Sequence, residues 1–356
     1  MRKSSICLSV LFLLCAQALH AEPDPWVTSF GVVGSASSLS ARSESPAAPS
    51  GTDAQSASQA VAGDVSASNG SQIAGETAAP APCDAAAAPT CAPACADDPW
   101  HCGVMPFYAY LKYGDRSIKD SANVEGAYFF VSNSHVLLEF NGQQSDFAYR
   151  VGPDLSQQDY TTILTVFPTA NFRARVGNHT ISNDDPLRSN GEVWFGGLAA
   201  FEKDRWEVGL DAYVSRYESY VPDPLTVVQI TPRASFNITP TAWVDLRGYL
   251  IHTNNDLDLG TENFYSAEGR ISKVFGSLTL SAYGYAGKQV FAVRNDGFVV
   301  WNLAEEHHAG AGGDAVVKFN DHVNFTVRLG DELFKDLVTQ ANTDVFMATF
   351  LLMFTY

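Results

Sequence analysis

From Phe107 onward apolar and polar residues alternate one for one, the period of a β-strand with two unlike faces. The clearest run is Arg205 to Ser215. Trp206, Val208, Leu210, Ala212 and Val214 fall on one face, and Arg205, Glu207, Gly209, Asp211, Tyr213 and Ser215 on the other. Phe325, Val327 and Leu329 oppose Asn324, Thr326 and Arg328 in the same way, and Ser277 to Tyr285 repeats the pattern. A helical period of 3.6 would scatter these stripes. Marking every such run predicts strands over 106–114, 123–131, 134–150, 159–167, 170–178, 191–202, 205–216, 226–237, 241–252, 261–273, 277–288, 308–319, 322–331 and 343–356, fourteen in all, with twelve or sixteen inside the error of the boundaries.

The connections alternate in length. Ser132-Asn133, Pro168-Thr169, Lys203-Asp204, Thr239-Pro240 and Asn320-Asp321 are tight, while Gly152–Gln158, Asn178–Asn190, Tyr217–Leu225, Thr253–Gly260 and Gln289–His307 are long. Tight turns on one side and long loops on the other are the plan of an all-β, antiparallel up-and-down barrel of the transmembrane kind. Alternation alone does not say which face meets water, since a soluble sandwich or lipocalin-like barrel turns its apolar face inward. The even count, strands of bilayer-spanning length and the end of the chain favour the membrane.

That end runs Phe346-Met347-Ala348-Thr349-Phe350-Leu351-Leu352-Met353-Phe354-Thr355-Tyr356, with Phe346, Ala348, Phe350, Leu352, Phe354 and Tyr356 on one face. It resembles the C-terminal assembly signal of bacterial outer-membrane β-barrel, porin-like proteins, carried here by Phe350, Leu352, Phe354 and Tyr356. The resemblance is specific over these eleven residues and looser over the strand-and-turn plan of 103–356. It implies that the barrel-assembly machinery recognises the last strand and that the barrel sits in outer-membrane lipid with both termini in the periplasm. The long connections near Asp184, Asp223, Asp256, Asp296 and Asp336 would then face outside.

The first hundred residues are of another kind. Arg2 and Lys3 precede an apolar run from Ile6 to Ala16, and Ala16-Gln17-Ala18 or Ala21 offers a cleavage site, so 1–21 reads as a secretory signal. Cys15 raises a lipoprotein alternative, which Leu14 disfavours. Residues 22–102 form an Ala/Ser/Pro-rich segment. Within 41–90 there are 16 Ala, 8 Ser, 5 Pro and 4 Gly and no aromatic residue, too little apolar surface to offset the entropy of ordering, so disorder is expected. Cys83, Cys91, Cys95 and Cys102 cluster at its end. In an exported chain they suggest disulfides of undetermined pairing, within the chain or to an envelope partner, and their spacing fits no zinc pattern.

Charge narrows the partners. The chain carries 22 Lys plus Arg against 39 Asp plus Glu, a net of -17, with no basic cluster beyond Arg2-Lys3. Nucleic acid is therefore excluded as a partner. If the apolar stripes meet lipid, the facing stripe lines a lumen: Glu139, Arg173, Arg175, Glu207, Asp211, Gln229, Arg233, Asp245, Arg247, Glu268, Arg270, Asp314, Lys318 and Arg328. Arg233 would stand opposite Arg247, a like-charge pair that water or acids must relieve. Acidic loop residues Asp184, Asp185, Asp256, Asp258, Glu305 and Glu306 would favour cations at the mouth.

Gln289–His307 is unusually apolar, with Phe291, Val293, Phe298, Val299, Val300 and Trp301. It either folds into the lumen or forms a further hairpin, joined at Asn295-Asp296-Gly297, that extends the wall. The second reading is preferred here.

A passive, porin-like channel for small polar solutes or ions fits this lining. The alternative is a plugged, non-conducting barrel that acts as an adhesin or structural envelope protein through its loops. An autotransporter would need a structured passenger, and fatty-acid channels resemble the chain in strand number alone. An enzyme is not expected, because G-x-S-x-G, H-E-x-x-H and P-loop patterns are missing and the adjacent His307 and His308 point to opposite faces of a strand. No cofactor or metal is implied, and a homo-oligomer stays open.

Overall fold

The computed structural model describes residues 99–184, 190–217, 224–255 and 257–356. The signal and low-complexity segments, Cys83, Cys91, Cys95, Asp185, Asp223 and Asp256 lie outside the described residues. The wall strands are β1 (His101–Tyr113), β2 (Lys119–Ser132), β3 (Val136–Tyr149), β4 (Leu155–Thr169), β5 (Phe172–Asn183), β6 (Gly191–Glu202), β7 (Trp206–Tyr217), β8 (Leu225–Thr239), β9 (Ala242–Thr253), β10 (Asn263–Phe275), β11 (Leu278–Val290), β14 (Glu305–Lys318), β15 (Val323–Asp336) and β16 (Asn342–Thr355). A short inserted hairpin, β12 (Val293–Arg294) and β13 (Val299–Val300), lies between β11 and β14.

The fourteen wall strands are antiparallel, each paired with its neighbours, and β1 closes on β16. Closure joins the two ends of the wall: Cys102 N–H donates to Tyr356 O at 3.0 Å and Tyr356 N–H to Cys102 O at 2.8 Å. His101 and Cys102 thus belong to the first strand, so the wall begins two residues before the expected boundary at Gly103. Strand ends otherwise shift by up to five residues, most of them outward: β5 runs on to Asn183 where a loop from Asn178 was expected, and β15 runs on to Asp336.

The stripes settle which face is which. On β7 the outward Val208, Leu210 and Val214 are 43%, 53% and 49% exposed, while inward Asp211 is 1% exposed. The outward face is apolar almost all round, with Leu164, Val176, Leu198, Ile230, Leu246, Leu250, Ile271 and Leu329 exposed. Aromatic residues collect near its two rims: Trp206, Phe236, Phe275, Phe319 and Tyr356 toward the tight turns, Tyr110, Tyr160, Trp194, Tyr265 and Phe346 toward the long connections. This is a water-soluble barrel turned inside out.

The interior has two unlike walls. In a ring of fourteen, strands seven places apart face each other, so β16, β1 and β2 stand across from β7, β8 and β9. The first three turn Met105, Phe107, Leu111, Val124, Phe130, Met347, Leu351 and Met353 inward. The second three turn Glu207, Asp211, Arg233, Asp245 and Arg247 inward. The apolar wall was not anticipated, because strands apolar on both faces lose the period-two contrast that marks an inner face.

Candidate functional site

The lumen's charged side chains form connected pairs. Arg173 on β5 reaches Glu207 on β7 at 2.6 Å, and Arg175 donates through Nε to Asp211 at 2.9 Å. Arg233 on β8 joins both acids, bonding Glu207 and placing Nε 3.0 Å from the Asp211 carboxylate. On the next strands Arg270 grips both Asp314 oxygens at 2.6 and 2.7 Å, with Arg328 at 3.6 Å. Asp245 lies beside Arg270 in the β9–β10 register, and Glu268 accepts from the Tyr249 hydroxyl at 2.9 Å. Of the fourteen residues assigned to the lumen from sequence, Lys318 lies at the turn end of β14, paired with Asp321 and partly exposed, and the other thirteen lie on the inward face.

Arg233 and Arg247 are direct cross-strand partners, as the turn at Thr239-Pro240 requires. Acids accompany both. Arg233 takes Glu207 and Asp211, and Arg247 takes Asp296 at 3.2 Å. Asp296 also receives Arg175 Nη2 at 3.1 Å, and its backbone carbonyl receives Arg175 Nη1 at 3.2 Å.

Asp296 can do this because the segment after β11 turns into the barrel. The predicted hairpin forms, Val293 pairing with Val300 and Arg294 with Val299, but it occupies the lumen instead of extending the wall. Local backbone explains the turn. The β11–β14 ladder breaks between Ala286 and Gln289, where Gly287 has φ +111°; a Cβ there would lie 2.4 Å from Tyr265 O, so only glycine fits. At the tip Asn295 and Asp296 take φ of 50° and 59°, values these two residue types tolerate, and Gly297 follows at 104°.

The hairpin is tied to the wall on several sides. Gln229 Nε2 donates to Val293 O at 2.6 Å and its Oε1 accepts from Val293 N at 2.9 Å. His179 Nδ1 lies 3.0 Å from Gly297 O, and Asn302 donates to Gln157 at 2.8 Å. Phe298 packs edge-on against Tyr128 and Phe291 against Tyr217. At its root Arg294 donates to Glu332 at 2.7 Å; Glu332 also holds the Tyr285 hydroxyl at 2.8 Å and His307 at 3.0 Å. Lys119 pairs with Glu305, which faces His307 from the other side. Burial alone would raise the Asp296 carboxyl, but Arg247, Arg175, Arg233 and Arg173 outweigh it and hold the group well below the ordinary carboxylate range.

Four acids assigned to the mouth or the outer loops are therefore not exposed there. Asp296 sits among the lumen arginines, while Glu305 and Glu306 are 3% and 2% exposed, paired with Lys119 and Lys288. Asp336 is buried too and caps the turn after β15 by accepting from Val338 N and Thr339 N. Asp184 and Asp258 are exposed as expected. Position along a loop cannot reveal such burial; the hint was the loop's own Phe, Val and Trp content. His307 is buried and His308 partly exposed on the other face, and among the described residues no group of His, Cys, Asp or Glu is arranged to hold a metal.

No protein-family model matches the chain, and no curated protein is similar to it. Several solved structures align with part of the chain. Pseudomonas aeruginosa OccK7 (OpdD) is 10% identical over 73% of this chain and 99% of its own, with a TM-score of 0.38. A bacterial polysaccharide outer-membrane secretin is 9% identical over 71% and 98%, at 0.45. The toluene transporter TbuX of Ralstonia pickettii is 7% identical over 72% and 89%, also at 0.45.

Proposed function

We propose that the chain is a passive channel of a bacterial outer membrane, taking small polar solutes or ions through a lumen narrowed by the 291–304 hairpin. The observation that carries this reading is the inversion of the barrel, apolar and aromatic-rimmed outside and charged within. Strands of 12 to 15 residues, at about 3.3 Å per residue and a tilt of about 40°, rise roughly 30 Å, enough to cross an apolar layer. The signal-like 1–21 would export the chain, the assembly machinery would insert it by the Phe350–Tyr356 strand, and both termini would remain periplasmic. Within the lumen, Arg173, Arg175, Arg233 and Arg247 against Glu207, Asp211 and Asp296 would set a transverse field that orients polar solutes.

One observation favours a second reading. The hairpin is held by ion pairs at tip and root, so it also suits a closed barrel that works through its loops. Single-channel recording of refolded protein in planar bilayers, with a salt gradient, separates the two. Stable steps whose selectivity changes on Arg233→Ala establish a channel; folded, heat-modifiable protein without conductance establishes the closed barrel.

A further inference from the structure

Next to the arginine belt, the inner faces of β3, β4 and β5 carry a second polar cluster. Tyr128, Asn141, Thr161 and His179 follow one another across β2 to β5 in direct register. Gln143 and Asp159 form the adjoining pair toward the long connections. Asn141, Thr161, Asp159 and His179 are 3%, 2%, 2% and 1% exposed.

The cluster is incompletely bonded among the described residues. Asn141 has neither its amide nitrogen nor its oxygen paired, and the Gln143 oxygen is likewise buried and unpaired. His179 is engaged on both ring nitrogens: Nδ1 lies 2.8 Å from the Thr161 hydroxyl and 3.0 Å from the Gly297 carbonyl, and Nε2 3.5 Å from the Asp159 carboxylate. One donor group and two acceptors, on the same inward face of β3, are thus left without a protein partner. Buried polar groups without partners are costly, and a protein keeps them where something else bonds them.

The complement decides what that is. The unpaired groups are neutral amides, while the Asp159 carboxylate beside them is bonded on both oxygens by the Gln143 and Gln157 amides and faces His179 Nε2 at 3.5 Å, so the open positions suit neither a cation nor, next to Asp159, an anion. A hydroxyl group both donates and accepts at one atom. Two adjacent hydroxyls match one donor group and two acceptors. The hairpin tip covers the cluster through Gly297 O on His179 and Phe298 on Tyr128, its ring centroid 5.5 Å away, so entry requires a shift of the tip.

We propose that Asn141 and Gln143 form a recognition site for uncharged solutes bearing neighbouring hydroxyls, capped by the tip of the hairpin. This rests on the channel reading for access to the lumen, but binding can be measured without passage. The test uses the full chain refolded in detergent and in lipid vesicles, with sucrose and a polyethylene glycol of matched size as probes. The glycol's chain oxygens are ethers, which accept and do not donate. Sucrose is expected to enter vesicles about tenfold faster than the glycol, the worth of two neutral hydrogen bonds. Asn141→Leu is expected to bring the ratio to about one with potassium chloride conductance unchanged. Saturation-transfer NMR in detergent should show sucrose signals with the native protein that Asn141→Leu abolishes and Asn141→Asp, checked for heat-modifiable folding, in part retains. Equal entry of the two probes through a conducting channel, or a preference that Asn141→Leu leaves intact, overturns the site. If the folded native protein does not conduct, the channel reading fails, and the NMR result alone upholds or overturns the site.

Discussion

Arg233 shows how much of the lumen's electrostatics rests on single side chains. It shares Glu207 with Arg173 and Asp211 with Arg175, and it stands beside Arg247. Removing it leaves two carboxylates with one guanidinium each, so the lumen gains net negative charge. Arg233→Ala should therefore shift the reversal potential in a potassium chloride gradient toward potassium; a shift toward chloride would contradict this placement of charge. Asp296 works in the opposite sense, because it alone holds the hairpin tip to both Arg175 and Arg247. Asp296→Asn should loosen the tip and raise open-state noise and mean conductance. Its folded-state carboxyl lies below the unfolded value, so its anchoring is fully present above about pH 4 and is lost only as pH falls through the lower folded value. The ratio of variant to native conductance should accordingly be the same at pH 7 and pH 5; a ratio that moves to one by pH 5 would mean that the carboxyl is raised by burial and not lowered by the arginines.

At the scale of elements, the wall was legible in the sequence and the hairpin only half so. Each outward stripe, such as Trp206 to Val214, is set by a period of two that survives any error in strand ends. The lumen charges were legible for the same reason, since Glu207 and Asp211 lie between those apolar positions. The turn residues Asn295-Asp296-Gly297 announced a hairpin, because two left-handed residues before a glycine suit few other sequences. Where the hairpin goes depends on partners distant in the chain, Arg175, His179, Gln229 and Glu332, and no local pattern records them. The inner apolar wall was hidden because Met347, Leu351 and Met353 alternate with Phe350 and Leu352, so β16 shows no contrast between its faces. The neighbouring strands β11 and β14 already pair beyond the break, Gln289 with His307 and Val290 with Glu306. Replacing 291–304 with a short Gly-Ser link should thus leave a heat-modifiable barrel with conductance raised several-fold. An unfolded product would show that the hairpin is part of the core and not a constriction.

For the molecule as a whole, the arrangement is an exchange of inside and outside, and its consequences differ by face and by end. Leu210 lies near the middle of β7 and is more than half exposed. In lipid, an arginine there loses hydration that the lumen arginines keep through their acids, so Leu210→Arg should destabilise the folded barrel by about 2–4 kcal/mol in denaturant titrations in vesicles. The same substitution in a barrel surrounded by water would cost little, so an unchanged midpoint would count against the membrane. The two ends differ by the lengths of their connections. With fourteen strands both ends of the wall fall on the side of the tight turns, as Cys102 and Tyr356 show by pairing with each other. If that end is periplasmic, protease added to intact cells meets only the long connections. Cleavage is expected after β5 near Asp184, between β9 and β10 near Asp258, and beyond β15 near Val338, all of which are exposed. The turn at Asp204 should be spared, facing the other way. So should the 291–304 segment, although it belongs to the same end by connectivity, because Phe291, Arg294, Asn295 and Phe298 are buried in the lumen. Cutting at Asp204 in intact cells would reverse the orientation. Cutting at Asp296 with the other sites intact would leave the orientation standing and place the hairpin outside, and the lumen would then be wide open.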